Sequence, residues 1–154
     1  MPSQPTHDQA TRLAFAPDEW ELLTHLPARV MIAATSAEPG GTRRTVAEGI
    51  AGLDAIAAGG GSDSHLVRAV VSAIYTEADR DDEVPTARDV TDRAAGQPGV
   101  LAACRTAAAL LRARAEPADA AAYTQWLRTI AGRVCGAARG DGPRFLDDLG
   151  TALG

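Results

Sequence analysis

Lysine and asparagine are missing from this 154-residue chain, and all 15 of its cationic side chains are arginine. Replacement of every Lys by Arg reflects a composition bias and is not read as phosphate recognition. Aromatics are scarce, at two Trp, two Tyr and two Phe. The two cysteines, Cys104 and Cys135, are too few and too far apart to form the disulfide framework of a small secreted domain. No run approaches 18 consecutive apolar residues, so a membrane-spanning helix is not expected. Residues 1–14 lack the basic and apolar regions of a signal peptide. The net charge of −5 supplies no basic footprint, so nucleic acid is not an expected partner. What is present is alanine, 33 residues of it, within a hydrophobic fraction of 45%. A chain of this length buries roughly two-thirds of the surface its unfolded form exposes, enough to fold without disulfides or a structural metal. It reads as a soluble, cytoplasmic protein.

Charge is unevenly spread. Residues 1–98 hold eight Arg against fifteen acids, net −7, whereas residues 99–154 hold seven against five, net +2. The asymmetry is compatible with self-association or an anionic partner for the second half.

Hydrophobic periodicity sets the organisation. Residues 1–14 are polar with two prolines and are expected to be a disordered tail; residues 15–154 are expected to be a single helical domain. From Pro17, the residues Trp20, Leu23, Leu26, Val30, Ala33 and Ala37 recur at helical spacing, with a kink or break expected where Pro27 interrupts them. After Glu38-Pro39-Gly40-Gly41, Thr45 and Glu48 have the spacing of a capping box. They head a helix whose expected inward stripe is Val46, Ile50, Leu53 and Ala57. Gly59-Gly60-Gly61 ends it, and Ser62-Asp63 is the expected cap of a third helix with Val67, Val70, Val71, Ile74 and Ala78 inward. An acidic linker from Glu77 to Glu83 precedes a short helix expected from Pro85 to Ala94 and a turn at Gly96–Gly99. Two further helices carry Leu101, Cys104, Ala108 and Leu111, then Tyr123, Trp126, Leu127, Ile130, Val134 and Ala138. A last short helix from Pro143 holds Phe145, Leu146, Leu149 and Leu153. No segment alternates at period two. The fold class is therefore all-α, expected as a single compact bundle of six to eight helices with the Trp20 and Trp126 helices at its centre.

An offset of 104 residues aligns Leu23 with Leu127, Leu26 with Ile130, Arg29 with Arg133, Val30 with Val134 and Ala33-Ala34 with Ala137-Ala138. A Gly-rich turn and another amphipathic helix follow each copy, a weak internal duplication of a helix pair. The run Leu26-Pro27-Ala28-Arg29-Val30-Met31-Ile32-Ala33-Ala34, the Gly turn, and then Glu48 with Ile50 and Leu53 resemble the TerB-like helical module associated with tellurite resistance in bacteria. The second copy keeps that family's Asp-Gly turn as Asp141-Gly142, followed by Asp147 and Asp148. The first copy has Glu38-Pro39-Gly40-Gly41 there instead. The resemblance spans residues 18–57 and 123–153. It implies a helical module of stress or envelope-linked systems, with divalent-metal contact at the acidic turns through Asp141, Asp147 and Asp148.

Candidate ligand-binding residues are His25, His65 and Glu48. Neither histidine has a second His or Cys at metal-ligand spacing. Glu48 is read first as the capping partner of Thr45. Cys104 and Cys135 on Ala-rich helices read as buried, inert thiols. The acidic run Glu77–Glu83 lacks the central Gly and closing Glu of a Ca²⁺ loop. No catalytic set and no cofactor are read from these residues. The expected function is a non-catalytic interaction or regulatory module with a protein partner or a second copy of itself. The alternative is a helical protein that binds a small molecule or divalent metal in a stress response.

Overall fold

A computed structural model describes residues 14–36, 42–80, 96–138 and 142–154, with side chains at 14–34, 49–76, 99–134 and 146–154. These residues form six α-helices and no strand. They are α1 (Pro17–Ser36), α2 (Thr42–Ala58), α3 (His65–Arg80), α4 (Gly96–Arg114), α5 (Pro117–Ala138) and α6 (Gly142–Leu153). A 3-10 turn at Gly59–Gly61 closes α2. The described fold is all-α. Residues 1–13 of the expected tail and the short helix expected at Pro85–Ala94 lie outside the described residues. None of the described helices is long and apolar enough to cross a membrane.

The start of α1 is built locally. Glu19 Oε1 accepts the Ala16 amide at 2.8 Å, and the Phe15 ring packs against Trp20 with centroids 6.2 Å apart. This is a hydrophobic staple across the helix entry, joined to one half of a capping box. Arg114 Nε at the end of α4 approaches Glu19 Oε2 at 3.4 Å. Trp20, Leu23, Leu26, Val30 and Ala33 are then buried, as their spacing requires.

The break expected at Pro27 does not occur, since α1 runs continuously through it. Proline has no amide to give the carbonyl four residues earlier, which belongs to Leu23. The buried Tyr123 hydroxyl donates to that carbonyl at 2.7 Å. The oxygen the proline leaves without a helical partner is satisfied from α5.

Other helix boundaries and faces differ from expectation. First, α2 begins at Thr42, so Thr45 stands inside its first turn and is not the cap ahead of it; nothing between Gly41 and Thr45 stops a helix. Second, α4 begins at Gly96, so the expected turn at Gly96–Gly99 is helical. Pro98 falls in the first turn, where a missing N–H costs no helical bond. Third, the inward stripe of α2 is not the large-residue one. Ile50 is 56% exposed and Leu53 58%, and Ala57 is exposed too, whereas Gly52, Ala55, Ile56 and Gly59 face the core.

Close approach explains that choice of face. A Cβ on Gly59 would lie 2.7 Å from Trp126 Cε2 and Nε1, and one on Gly52 would overlap Met31 of α1 and touch Val134 of α5. Trp126 Nε1 donates to the Ala55 carbonyl at 3.0 Å, a bond that needs bare backbone beside it. Larger residues would hold α2 away from α5, its principal neighbour.

The cap of α3 is Ser64, one residue beyond the expected Ser62-Asp63. Its hydroxyl accepts the Val67 amide at 3.4 Å and donates to Asp119 Oδ1 in the first turn of α5 at 2.8 Å. Leu66, Val67, Ala69, Val70 and Val71 are buried; Ile74 is half-buried. On α4, Val100, Cys104, Ala107, Ala108 and Leu111 face inward, and α6 contributes Leu149, Ala152 and Leu153. The two tryptophan helices are central as expected. α1 and α5 pack on each other, α1 also touches α2, α3 and α4, and α5 touches α2, α3, α4 and α6.

Candidate functional site

Among the described residues, those singled out in the sequence lie on three different helices. His25 lies exposed in the middle of α1, and His65, also exposed, opens α3. His65 Nδ1 sits 2.7 Å from Arg68 Nη2. A guanidinium only donates, so Nδ1 accepts and the ring proton belongs on Nε2. Asp147 and Asp148 are exposed on α6. Asp141, the Glu48 side chain and the Cys135 side chain lie outside the described residues. Among the described residues no group of three or more His, Cys, Asp or Glu is placed to hold a metal ion.

Chemistry-bearing groups do meet in the core, between α1, α4 and α5. Cys104 is fully buried and free. Burial pushes its thiol up from 9.0 to about 12, against the opposing pull of the Arg29 and Arg105 charges. Tyr123, also buried, is held well above 10.0 by desolvation and then by the neighbouring thiol. The Nε of half-buried Arg29 is inaccessible and has no hydrogen-bond partner. Desolvation outweighs the cation here, so Cys104 stays protonated at neutral pH and is no nucleophile. The Tyr123 hydroxyl is already committed to Leu23.

The surface offers a different kind of feature. Of the exposed large hydrophobics, Ile50 and Leu53 stand three residues apart on α2, and Ala57 is exposed one turn beyond. They form one stripe, since residues three and four apart share a helix face. Asp54 beside them is exposed, and a Cβ placed on Gly49 would meet nothing within 4 Å. Tyr75, 51% exposed, lies on the second half of α3. The sequence showed the stripe but assigned it to the wrong side. The signal that points the other way is Gly52, Ala55 and Gly59, small residues at helical spacing that admit a tryptophan.

Comparisons with protein-family models, curated proteins and solved structures find no match to this chain. The geometry alone carries the functional reading.

Proposed function

We propose that this protein is a non-catalytic interaction module that engages a protein partner through the outward face of α2. The observation behind this is the exposure of Ile50 and Leu53 on a helix whose opposite face is fully used in packing. Leaving large aliphatic side chains in water costs on the order of 1 kcal/mol each, an amount a docked partner would recover. Contiguous exposed apolar residues rimmed by polar ones are a feature of interaction surfaces.

The finer architecture belongs to the same proposal. The six helices make one compact bundle, and the pairs beginning with α1 and α5 are copies of one unit. Equal burial supports this: Leu23 and Leu127, Leu26 and Ile130, and Val30 and Val134 are all fully buried. A TerB-like module of a bacterial cytoplasmic stress system is the setting this proposal assigns.

Photo-crosslinking tests the reading. A benzoylphenylalanine placed at position 53 is expected to give a discrete protein adduct in cells that make this protein. The same group at exposed Ala109 of α4 is expected to give none. No adduct from position 53, or equal adducts from both, would overturn it.

A further inference from the structure

We propose that Met31 is a site of oxidation by hydroperoxides, and that its sulfoxide loosens α2 from the rest of the bundle. The inference concerns the inner face of α2 and stands apart from what docks on the outer one.

Placement singles this residue out. Besides Met1 it is the only methionine of the chain. It stands on α1 next to the buried Val30, and its own side chain is half-buried against the core. The thioether reaches across to α2 and occupies the space that Gly52 leaves. A Cβ at Gly52 would lie 2.6 Å from Met31 Sδ and 3.0 Å from a methyl group of Val134 on α5. The sulfur therefore sits where α1, α2 and α5 meet, in a side chain that solvent still reaches.

The chemistry is that of a thioether with a hydroperoxide. A sulfur lone pair attacks one peroxide oxygen, and the O–O bond breaks as the S–O bond forms. The departing oxygen takes up the peroxide's own proton and leaves as water or an alcohol. Sulfur loses two electrons and the peroxide gains them. The sulfoxide is larger by one oxygen, polar, and in need of a hydrogen-bond donor. Neither Gly52 nor Val134 supplies one. The Gly52 amide lies inside α2, where it serves the helix, and Val134 offers a methyl group.

Of the helices that meet at the sulfur, α2 is the one held least. Large buried side chains anchor α1, and the Tyr123 hydroxyl ties it to α5. The core-facing residues of α2 are Gly52, Ala55, Ile56 and, just beyond it, Gly59, which bury little apolar area. Its seat depends instead on close approach, with the Ala55 carbonyl accepting Trp126 Nε1 at 3.0 Å less than one turn from Gly52. An oxygen added at Gly52 pushes on that turn and draws the carbonyl away from the indole.

Peroxide treatment of the full chain, followed by peptide mass mapping and hydrogen–deuterium exchange, tests this. Met31 is expected to gain one oxygen at a rate within about tenfold of free methionine. Amides from Gly49 to Ala58 should then exchange at least about tenfold faster, with those of α4 unchanged. Methionine sulfoxide reductase should reverse the change. Met31→Leu keeps the volume without the sulfur, so peroxide should leave its α2 as it was. Met31→Gln, polar at the same place, should loosen α2 with no oxidant present. A Met31 that resists peroxide about 100-fold better than free methionine would overturn the proposal. So would full oxidation with α2 exchange unchanged, loosening of all six helices alike, or the same response to peroxide in Met31→Leu.

Discussion

At Tyr123, one hydroxyl does for α1 what a missing amide cannot. Removing it as Tyr123→Phe strands the buried Leu23 carbonyl, an expected loss of about 1–3 kcal/mol. Pro27→Ala supplies an amide to the same carbonyl, so the tyrosine substitution should cost less than about 1 kcal/mol in that background. Urea denaturation of the four proteins in the cycle decides it; equal losses in both backgrounds would contradict the assignment. The neighbouring thiol sets a pH limit. Below about pH 9 the folded and unfolded chains both keep the Cys104 proton, and stability does not depend on it. Above that, the unfolded chain releases a proton the folded one retains up to about pH 12. Stability is thus present in full below the unfolded value and lost as pH rises toward the folded one, by up to about 1.4 kcal/mol per pH unit. Cys104→Ala should flatten the urea midpoint between pH 9 and 10, before a tyrosine contributes. An unchanged slope would show that the thiol is not the group responsible.

Among the elements, α2 shows what glycine position decides. Gly59→Ala drives a methyl group into the Trp126 indole and should cost about 1–3 kcal/mol. Gly49→Ala meets nothing and should stabilise by up to about 1 kcal/mol through helix propensity alone. Thermal melts of the two variants should move in opposite directions; a shared direction would mean that the packing of α2 is wrongly described. The same helix marks the limit of what the sequence made legible. The α1 and α5 stripes could be read because each has one run of large residues and no competing face. In α2 two faces compete, one of large residues and one of small. The area rule favours Ile50 and Leu53, while close approach to Trp126 favours Gly52, Ala55 and Gly59. A single sequence does not show that Trp126 is the neighbour, so the exposed face of α2 went unread although its residues were all named. The cap of α3 moved one residue beyond Ser62-Asp63 for a similar reason. Ser62, Asp63 and Ser64 are all able caps, and only the bond to Asp119 selects the last.

For the whole molecule, one buried cluster takes residues from all six helices, from Phe15 to Leu153. Unfolding is therefore expected to be a single cooperative transition. Tryptophan emission, reporting on Trp20 and Trp126, and far-ultraviolet circular dichroism should give the same urea midpoint. Two separated midpoints would divide the chain into independent units. The Tyr123 bond adds an order in time. It joins residues 100 positions apart, and synthesis proceeds from the N-terminus. At about 5–20 residues per second, α1 waits roughly 5–20 s on the ribosome before the hydroxyl that completes it has been made. During that interval the Leu23 carbonyl must be served by water, which a buried helix would exclude. The first helix of the chain is consequently among the last to become fully native, and a nascent chain stalled before Tyr123 should leave the Pro27 region open to protease.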